Sequence, residues 1–272
     1  MQAADLGSVQ KTLLLPLWGR AVETQKPNPV LIDEAAVRIM RDVGYDFSTI
    51  TARMSFVSQL AWVARCVHAD RTLRTFLDKH PEATVVNLGC GLDTTFERVD
   101  NGRVQWFDLD LPDVIALRRN FIGESERRRF LSASLLDTNW LACVNHGRPV
   151  FFVALGVLYY IAGPSVESLL TAIADCVPSS ELLFDACSQT GLRIANKRVI
   201  QDGGMSEEAK LVWALEDPRE VQRWDKRIEL MESYRLFRGV KSGHTVKQMW
   251  GMFLSDALGV MSMVHLRIGA ST

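Results

Sequence analysis

The chain has 272 residues, of which 47% are hydrophobic and 23% are charged, and its formal net charge is −1. This length suits one large α/β domain or a domain with a cap, and the hydrophobic fraction is enough for a buried core. A charge near zero gives no electrostatic reason to expect nucleic acid as a partner, and the longest apolar stretches, such as residues 150–158, are too short to cross a bilayer.

The N-terminus and the cysteines indicate the cellular compartment. The first residues lack a basic start followed by an apolar core, so we expect no secretory signal. The five cysteines are scattered, without a Cys-x-x-Cys pair or a neighbouring histidine pair. An odd, unpaired count predicts reduced thiols in a cytoplasmic protein and no metal site.

The first 80 residues have a helical pattern without strands. Residues 29–42 and 55–77 carry apolar side chains close to a 3.6-residue period, with proline and glycine between them. From Pro81 onward, strands alternate with helices, which predicts a parallel sheet. We place strands at residues 83–88, 104–109, 129–133, 150–155 and 181–186, and helices after Pro112 and after Pro164, each with proline near its first turn.

The pattern changes again near the C-terminus. Between residues 190 and 227 the strands stop and a charged, helical insertion is expected. After it come a segment at residues 233–240, a helix at about residues 245–258 and a last strand at residues 260–268.

The strand at residues 83–88 runs directly into a glycine turn. Asn87, Gly89 and Gly91 belong to this turn at the carboxyl end of the strand, where open α/β sheets bind ligands. Glycines let a ligand approach the backbone closely. Asp93 follows the turn, and it could either cap the next helix or line the site.

The next strand ends in two aspartates, Asp108 and Asp110, and a carboxylate at this place can bind the ribose of a nucleotide-type cofactor. Strand alternation puts both on one face, so periodicity does not choose between them. Thr94 stands where a dinucleotide fingerprint needs glycine, and a Gly-Lys-Ser/Thr phosphate loop is absent. The pattern therefore favours S-adenosylmethionine, which has a ribose but no phosphate.

Three elements resemble the leucine carboxyl methyltransferase family, and most closely its bacterial branch, which includes polyketide carboxyl O-methyltransferases. They are the glycine turn at residues 87–94, Asp-Leu-Asp-Leu-Pro at residues 108–112 and Gly-Val-Leu-Tyr-Tyr at residues 156–160. The resemblance implies an α/β, class I methyltransferase (Rossmann-like) fold: a seven-stranded, mostly parallel sheet with helices on both faces. It also implies a helical N-terminal cap over residues 1–80 and a cofactor-binding domain over residues 81–272, with the insertion at about 190–227 helping to cover the site.

The resemblance assigns cofactor contacts residue by residue. It favours Asp110 for the ribose hydroxyls, and it places Ser134 and Leu135 beside the adenine, where the family has Asp-Leu. Arg65 matches an arginine that holds the methionine carboxylate of the cofactor, a task suited to guanidinium. The alternative for Arg65 is a surface salt bridge. Leu155 stands where the family usually has glutamate, which raises the alternative of a non-catalytic, ligand-binding relative.

The resemblance also suggests how an acceptor is held. Tyr160 matches a family tyrosine near the reacting centre, whereas Tyr159 would point the other way if the strand continued. Arg20 is our candidate for orienting a substrate carboxylate.

The leading hypothesis is methyl transfer from S-adenosylmethionine to a carboxylate of a small, polyketide-like molecule, with neither nucleic acid nor membrane as a partner. A carboxylate is already ionised at pH 7 and needs no general base. The alternative is methylation of a phenolic or enolic hydroxyl. Trp213 or Trp224 in the pocket, with His146 or His244 near the sulfonium, would favour that alternative.

Overall fold

A seven-stranded sheet lies at the centre of the protein. The structure is a computed structural model, and it describes residues 10–144, 147–201, 206–240 and 245–269. The strands are β1 (Thr84–Leu88), β2 (Gln105–Asp110), β3 (Arg128–Ser132), β4 (Val150–Ala154), β5 (Ser180–Cys187), β6 (Ile228–Arg235) and β7 (Met261–Ile268).

The order of the strands creates a ligand-binding crevice. The order is β3-β2-β1-β4-β5-β7-β6, and only β7 runs antiparallel to its neighbours. Successive strands add outward from β1 through β2 to β3, and the chain then returns to place β4 on the other side of β1. The carboxyl ends of β1 and β4 therefore flank a topological switch point, which is where open α/β sheets bind ligands.

Ten α-helices among the described residues surround the sheet and cover both of its faces. Apolar side chains of β1 alternate between two cores. Val86 and Leu88 pack with the helix at residues 163–176, whereas Val85 packs with the helix at residues 56–79. The helices are α1 (Leu14–Thr24), α2 (Glu34–Asp42), α3 (Ser48–Arg53), α4 (Phe56–Lys79), α5 (Thr95–Val99), α6 (Pro112–Arg118), α7 (Leu141–Val144), α8 (Gly163–Cys176), α9 (Gln189–Ala195) and α10 (Val246–Ala257).

The N-terminal helices pack over the carboxyl edge of the sheet. Leu14, Leu17 and Trp18 of α1 belong to the same buried cluster as Cys90 and Leu92 of the glycine turn. This contact packs α1 against the turn and covers the turn with buried apolar side chains. The division of the chain into a cap and a domain at residue 80 stays a prediction.

Most predicted elements are confirmed, with shifts of one or two residues at their ends. The clearest boundary error concerns the helix predicted at residues 29–42, since only α2, Glu34–Asp42, is helical there. The Asp33 side chain accepts a hydrogen bond from the Ala36 N–H and so starts the helix there. The sixth strand, Ile228–Arg235, lies mostly before the segment marked at residues 233–240.

The helical insertion predicted at about residues 190–227 consists, in its described part, of short helical segments. They are residues 190–195 of α9, a π-helical turn at Asn196–Gln201 and 3-10 turns at Glu207–Ala209 and Pro218–Arg223. Pro218 begins the last of these turns, and a proline N-terminus limits how a helix can extend backward. Among the described residues, none of the helices is both long and apolar enough to span a membrane.

Candidate active site

The glycine turn after β1 needs glycine for two reasons. Gly89 and Gly91 have φ angles of +65° and +47°, in the left-handed region that L side chains rarely adopt. A Cβ atom on Gly89 would also lie 2.5 Å from Cγ2 of Val157. The turn therefore packs directly against the segment that follows β4, which closes one wall of the crevice.

Asp110, at the end of β2, is tied to the glycine turn. Its Oδ2 accepts a hydrogen bond from the Gly91 N–H at 2.7 Å, and its Oδ1 accepts one from the Leu111 N–H at 2.8 Å. Burial raises the pKa of Asp110, although these two backbone donors oppose the shift. The carboxylate is thus fixed at the crevice with lone pairs left for a ligand.

Asp108 serves the protein interior instead. It is fully buried, and its Oδ2 accepts hydrogen bonds from Arg118 Nη2 at 3.0 Å and Arg128 Nε at 2.7 Å. Arg118 in turn donates from Nη1 to the Gly91 carbonyl at 2.8 Å. Asp108 therefore supports the turn through Arg118. Strand alternation did not distinguish the two aspartates, but only Asp110 lines the cavity.

Asn87 and Asp93 connect the two ends of the turn. Asn87 Nδ2 donates to Asp93 Oδ2 at 3.0 Å, and the same oxygen accepts the Thr95 N–H at 3.1 Å. Burial disfavours the charged form, but Arg98, Arg20 and a hydrogen bond with the Thr95 side chain outweigh it and hold the pKa of Asp93 below its usual range. Asp93 both binds the first turn of α5 and lines the cavity, so the two alternatives from the sequence coexist.

Arg20 belongs to a buried ionic network. Its Nε donates to Asp33 Oδ2 at 2.9 Å, and its Nη2 donates to the Leu92 carbonyl at 2.8 Å. Arg98 Nη1 reaches the same Asp33 oxygen at 2.7 Å. These contacts hold α1 and α2 onto the glycine turn. A role for Arg20 in orienting a substrate stays a prediction.

Arg65 lies in the wall of the crevice, and the alternative of a surface salt bridge is wrong because its side chain is only 6% exposed. Its Nη1 donates to Tyr159 Oη at 3.0 Å and to Asp185 Oδ2 at 3.3 Å, while Nε is buried without a partner. The Gly156 N–H donates to Asp185 Oδ1 at 2.6 Å, and a Cβ atom on Gly156 would lie 2.4 Å from Arg65 Nη1. Gly156 therefore makes room for the guanidinium.

Tyr159 and Tyr160 both face the crevice, so the prediction that only one could do so is wrong. Strand β4 ends at Ala154, and Leu158–Tyr160 forms a 3-10 turn, in which successive side chains do not alternate between opposite faces. The two rings pack edge to face, with their centroids 5.0 Å apart. Burial raises the pKa of each phenol, most strongly that of Tyr159, so both hydroxyls stay protonated near neutral pH.

These residues enclose a first cavity of about 310 Å³, which we call the glycine-turn cavity. It contains all ten residues that the sequence marked as a site, so the structure brings them together. They are Arg20, Arg65, Asn87, Gly89, Gly91, Asp93, Asp110, Ser134, Leu135 and Tyr160. Leu155 also lines it, and the Ser134 hydroxyl accepts the Leu136 N–H at 3.2 Å.

A second cavity of about 660 Å³ adjoins the first, and sequence reasoning missed it. We call it the helix-lined cavity because α4, α9 and α10 supply most of its wall. The two cavities share Trp62, Arg65, Tyr159 and Tyr160, which we call the shared wall. No motif marks the second cavity; the sequence signal is the run of large apolar residues in the last helix, of which Trp250, Phe253 and Leu254 are exposed.

Trp213 and Trp224, which would favour hydroxyl methylation if they lay in the pocket, line neither cavity. Trp213 is buried and stacks on Phe184 at 6.4 Å, and Trp224 packs against Trp213. His146 and His244 lie outside the described residues. Within the described ranges, no cluster of three or more potential ligands is placed to hold a metal ion.

Known proteins similar to this chain agree with the geometry. The family model for leucine carboxyl methyltransferase matches residues 14–174. A polyketide synthesis relative, the tetracenomycin polyketide synthesis O-methyltransferase TcmP of Streptomyces glaucescens, is 33% identical over 219 residues, which is 80% of this chain and 79% of that protein. The S-adenosyl-L-methionine-dependent methyltransferase dpfgK of Gibberella zeae is 32% identical over 238 residues, covering 80% of this chain and 78% of that protein.

Solved structures show the same fold at low identity. A DUF574 family protein from Streptomyces avermitilis superimposes with a TM-score of 0.59 at 14% identity, over 92% of this chain and 97% of the other. A SAM-dependent methyltransferase from Anabaena variabilis superimposes with a TM-score of 0.50 at 9% identity, over 79% of this chain and 96% of the other. At these identities the likeness concerns the fold alone.

Proposed function

The chain belongs to the leucine carboxyl methyltransferase family, and we propose that it transfers a methyl group to a carboxylate oxygen of a small, polyketide-like molecule. It is an S-adenosylmethionine-dependent methyltransferase with a class I methyltransferase fold. When bound, the cofactor supplies a methyl group on a positively charged sulfur.

The donors and acceptors of the glycine-turn cavity fit this cofactor. Asp110 offers an anchored carboxylate for the two ribose hydroxyls, and Arg65 offers a buried Nε without a partner for the methionine carboxylate. The turn formed by Asn87, Gly89 and Gly91 leaves the backbone accessible. Apart from Asp110 and Asp93, the described lining has no acidic side chain, so the carboxylate end of the cofactor meets little repulsion.

The remaining cofactor roles follow from position. Asp93 fixes the far end of the turn, where it is held by Asn87. Ser134 and Leu135 lie after β3 at the same cavity, where the adenine would stack on an apolar side chain and meet a hydroxyl. Leu155, in the place of the family glutamate, adds apolar surface to the cavity.

The observation that carries the choice of a carboxylate acceptor is the absence of a general base at the shared wall. Of its members, Arg65 is a cation, and Tyr159 and Tyr160 are phenols whose pKa values burial raises. Among the residues described, no histidine lines either cavity. A hydroxyl acceptor would have to lose a proton during transfer, whereas a carboxylate is already ionised at pH 7.

The shared wall can position such an acceptor. Tyr160 keeps its proton, so it can orient a carboxylate but cannot deprotonate a substrate. Its hydroxyl is hydrogen-bonded to the Thr12 side chain. The apolar side chains of the helix-lined cavity exclude water from the acceptor, which favours the meeting of an anion with a cation. Arg20 lines only the glycine-turn cavity and would act from the cofactor side.

The test is a methyl-transfer assay with methyl-labelled S-adenosylmethionine and a panel of aromatic carboxylic acids and matched phenols. We expect label in the acids, and we expect mild alkali to release it as methanol, since esters hydrolyse and methyl ethers do not. Asp110→Asn should lose most of the activity, whereas Asp113→Asn, three residues away and outside both cavities, should retain it. Alkali-stable label confined to the phenols would contradict the proposal.

A further inference from the structure

The helix-lined cavity has a buried inner end and an exposed outer end. At the inner end lie Arg65 and Tyr159 of the shared wall, together with Cys187 and Leu211, all of them buried. Burial raises the pKa of the Cys187 thiol to about 12, so this thiol is protonated and uncharged at neutral pH. The inner end thus presents one cation, Arg65, beside the point where the two cavities meet.

The outer end carries three cations from one short segment. Arg193 lies in α9, and Lys197 and Arg198 lie in the π-helical turn that follows it; all three are exposed and line the cavity. Positions 193 and 197 are one helical turn apart, which places them on the same side of the segment.

Arg193, Lys197 and Arg198 have no carboxylate partner among the residues that the structure describes. Within the described part of the chain, no carboxylate forms an ion pair with any of them, although exposed arginines elsewhere, such as Arg119 and Arg267, do have such partners. The described lining of this cavity also contains no aspartate or glutamate. The described side chains at the mouth therefore carry a net positive charge, which attracts anions.

Apolar surface connects the two ends. Val57 and Ala61 of α4, Leu254 of α10, Leu258 directly after it, and Met261 of β7 give the same cavity an apolar wall. A volume of about 660 Å³ is within the range of pockets that bury a drug-sized molecule. An occupant of several fused rings would fill it with its apolar body.

From this arrangement we propose that the acceptor carries a second anionic group, remote from the methylated oxygen, which Arg193, Lys197 and Arg198 bind at the mouth of the cavity. The inference rests on the proposed function, because it takes the reacting carboxylate to lie at the shared wall. The three cations select among acceptors and place the apolar body in the cavity. They do not touch the reacting atoms, so they are specificity-determining residues. The remote anion can be a carboxylate or a phosphate, since both are recognised by the same side chains.

The experiment uses a matched series of fused-ring aromatic carboxylic acids that differ only in the remote substituent: a neutral amide, a carboxylate or a phosphate. Methyl transfer is measured for the wild-type protein and for the triple variant Arg193→Gln/Lys197→Gln/Arg198→Gln. The control is Arg129→Gln/Arg219→Gln/Lys226→Gln, which removes the same charge from exposed positions that line neither cavity.

We expect the wild-type protein to prefer an anionic remote group over the amide by about tenfold in kcat/KM, and the preference to decrease with added salt. The triple variant should lose this preference through a higher KM for the anionic acceptors, and the control should keep the preference. The phosphate and carboxylate arms show which anion is favoured.

Two outcomes would overturn the proposal, and they are distinguishable. Equal kcat/KM for the amide and the anionic acceptors in the wild-type protein would exclude the remote anion while leaving carboxyl methylation intact. Failure to form an ester with any acid of the series would contradict the proposed function itself, and the inference would fall with it.

Discussion

The two cavities meet at the shared wall but are built in opposite ways. In the glycine-turn cavity, the two arginine side chains are buried and paired: Asp33 holds Arg20, and Asp185 holds Arg65. In the helix-lined cavity, the wall is apolar and the charged side chains are exposed cations at the mouth. The first arrangement fixes geometry, since each buried charge requires its partner, whereas the second leaves room for the shape of the occupant to vary.

This contrast matches the demands that one invariant cofactor and a variable acceptor place on an enzyme. A cofactor site needs donors and acceptors at fixed positions. An acceptor site in such an enzyme needs an apolar volume and a few orienting charges, and these can change without disturbing the cofactor. Substitutions in the first cavity should therefore alter both stability and cofactor affinity, and substitutions in the second should alter acceptor use alone.

The largest effect is expected at Arg65, where the two cavities join. Arg65→Met would leave Asp185 buried without its cation, and losing one partner of a buried pair costs about 3–5 kcal/mol in the free energy of unfolding. Affinity for S-adenosylhomocysteine should fall by roughly a hundredfold or more, since one charged hydrogen bond contributes about 1.5–3 kcal/mol and the wall also loses its shape. Calorimetric titration and chemical denaturation measure the two quantities.

A second variant separates binding from folding. In Arg65→Met/Asp185→Asn the unpaired charge is removed, while the amide oxygen can still accept the Gly156 N–H. We expect much of the stability to return without any recovery of affinity. Recovery of both together would mean that Arg65 acts only through the fold.

Asp110→Asn should have the next largest effect. The neutral amide is a weaker acceptor for two ribose hydroxyls, and the loss of about 1.5–3 kcal/mol corresponds to roughly 10- to 100-fold in the Kd of S-adenosylhomocysteine. Because burial raises the pKa of Asp110, the affinity of the wild-type protein should be full above that pKa and fall as the pH decreases through it. The variant should lack this pH dependence, and an unchanged Kd at neutral pH would contradict the assignment.

Gly89→Ala tests the close contact between the glycine turn and Val157. Alanine at φ +65° is strained by about 1–2 kcal/mol, and its Cβ atom would press on Val157 at 2.5 Å. Gly102→Ala is the control, because Gly102 has φ +79° with no atom within 4 Å of the added Cβ. Only the change at Gly89 should lower cofactor affinity, by about tenfold if the turn moves by a fraction of an ångström. Equal effects at the two glycines would show that strain alone matters.

Leu254→Trp changes the helix-lined cavity and leaves the lining of the glycine-turn cavity intact. Leu254 is exposed and lines only the helix-lined cavity, so a larger ring should obstruct the acceptor while the Kd of S-adenosylhomocysteine stays the same. We expect kcat/KM for an aromatic acid to fall about fivefold, an effect of roughly 1 kcal/mol. Phe253→Trp, its exposed neighbour outside the cavity, should be neutral. A loss of cofactor affinity in Leu254→Trp would show that the two cavities are not independent.

Leu155→Glu should have the smallest effect. Asp185 already accepts the Gly156 N–H and holds Arg65 at this end of the site, so a carboxylate at position 155 has no vacant partner on these groups. The Kd of S-adenosylhomocysteine should change by less than about threefold. A gain of tenfold or more would instead show that the site had lost affinity with its glutamate, and it would support the reading of a weakened relative.

The alternation of strands and helices and the glycine turn at the first cavity could be predicted from the sequence because local patterns determine both, whereas the seven-stranded sheet and the places of Arg65 and Ser134 were implied by the family resemblance. The Gly89–Gly91 turn follows a strand whose five residues are all buried, and Asp110 ends the next strand, so pairing of β1 with β2 brings them together. By contrast, the orientation of Tyr159 depended on where β4 ends, which is an element boundary that periodicity does not locate.

The helix-lined cavity was not predictable because its residues come from segments far apart in the chain. Ala61, Cys187, Leu211 and Leu258 share no motif, and only tertiary packing places them around one volume. That no described carboxylate pairs with Arg193 or Lys197 is likewise a property of the fold, since it depends on which side chains pack nearby. Sequence reasoning could mark their charge but not the absence of a partner.

A crystal structure of the protein with S-adenosylhomocysteine tests the division between the two cavities most directly. We predict the ribose hydroxyls on Asp110, the methionine carboxylate at Arg65 and the sulfur facing the shared wall, with the helix-lined cavity left free for an acceptor. A ligand bound in the helix-lined cavity, or a sulfur turned away from Tyr159 and Tyr160, would contradict the account.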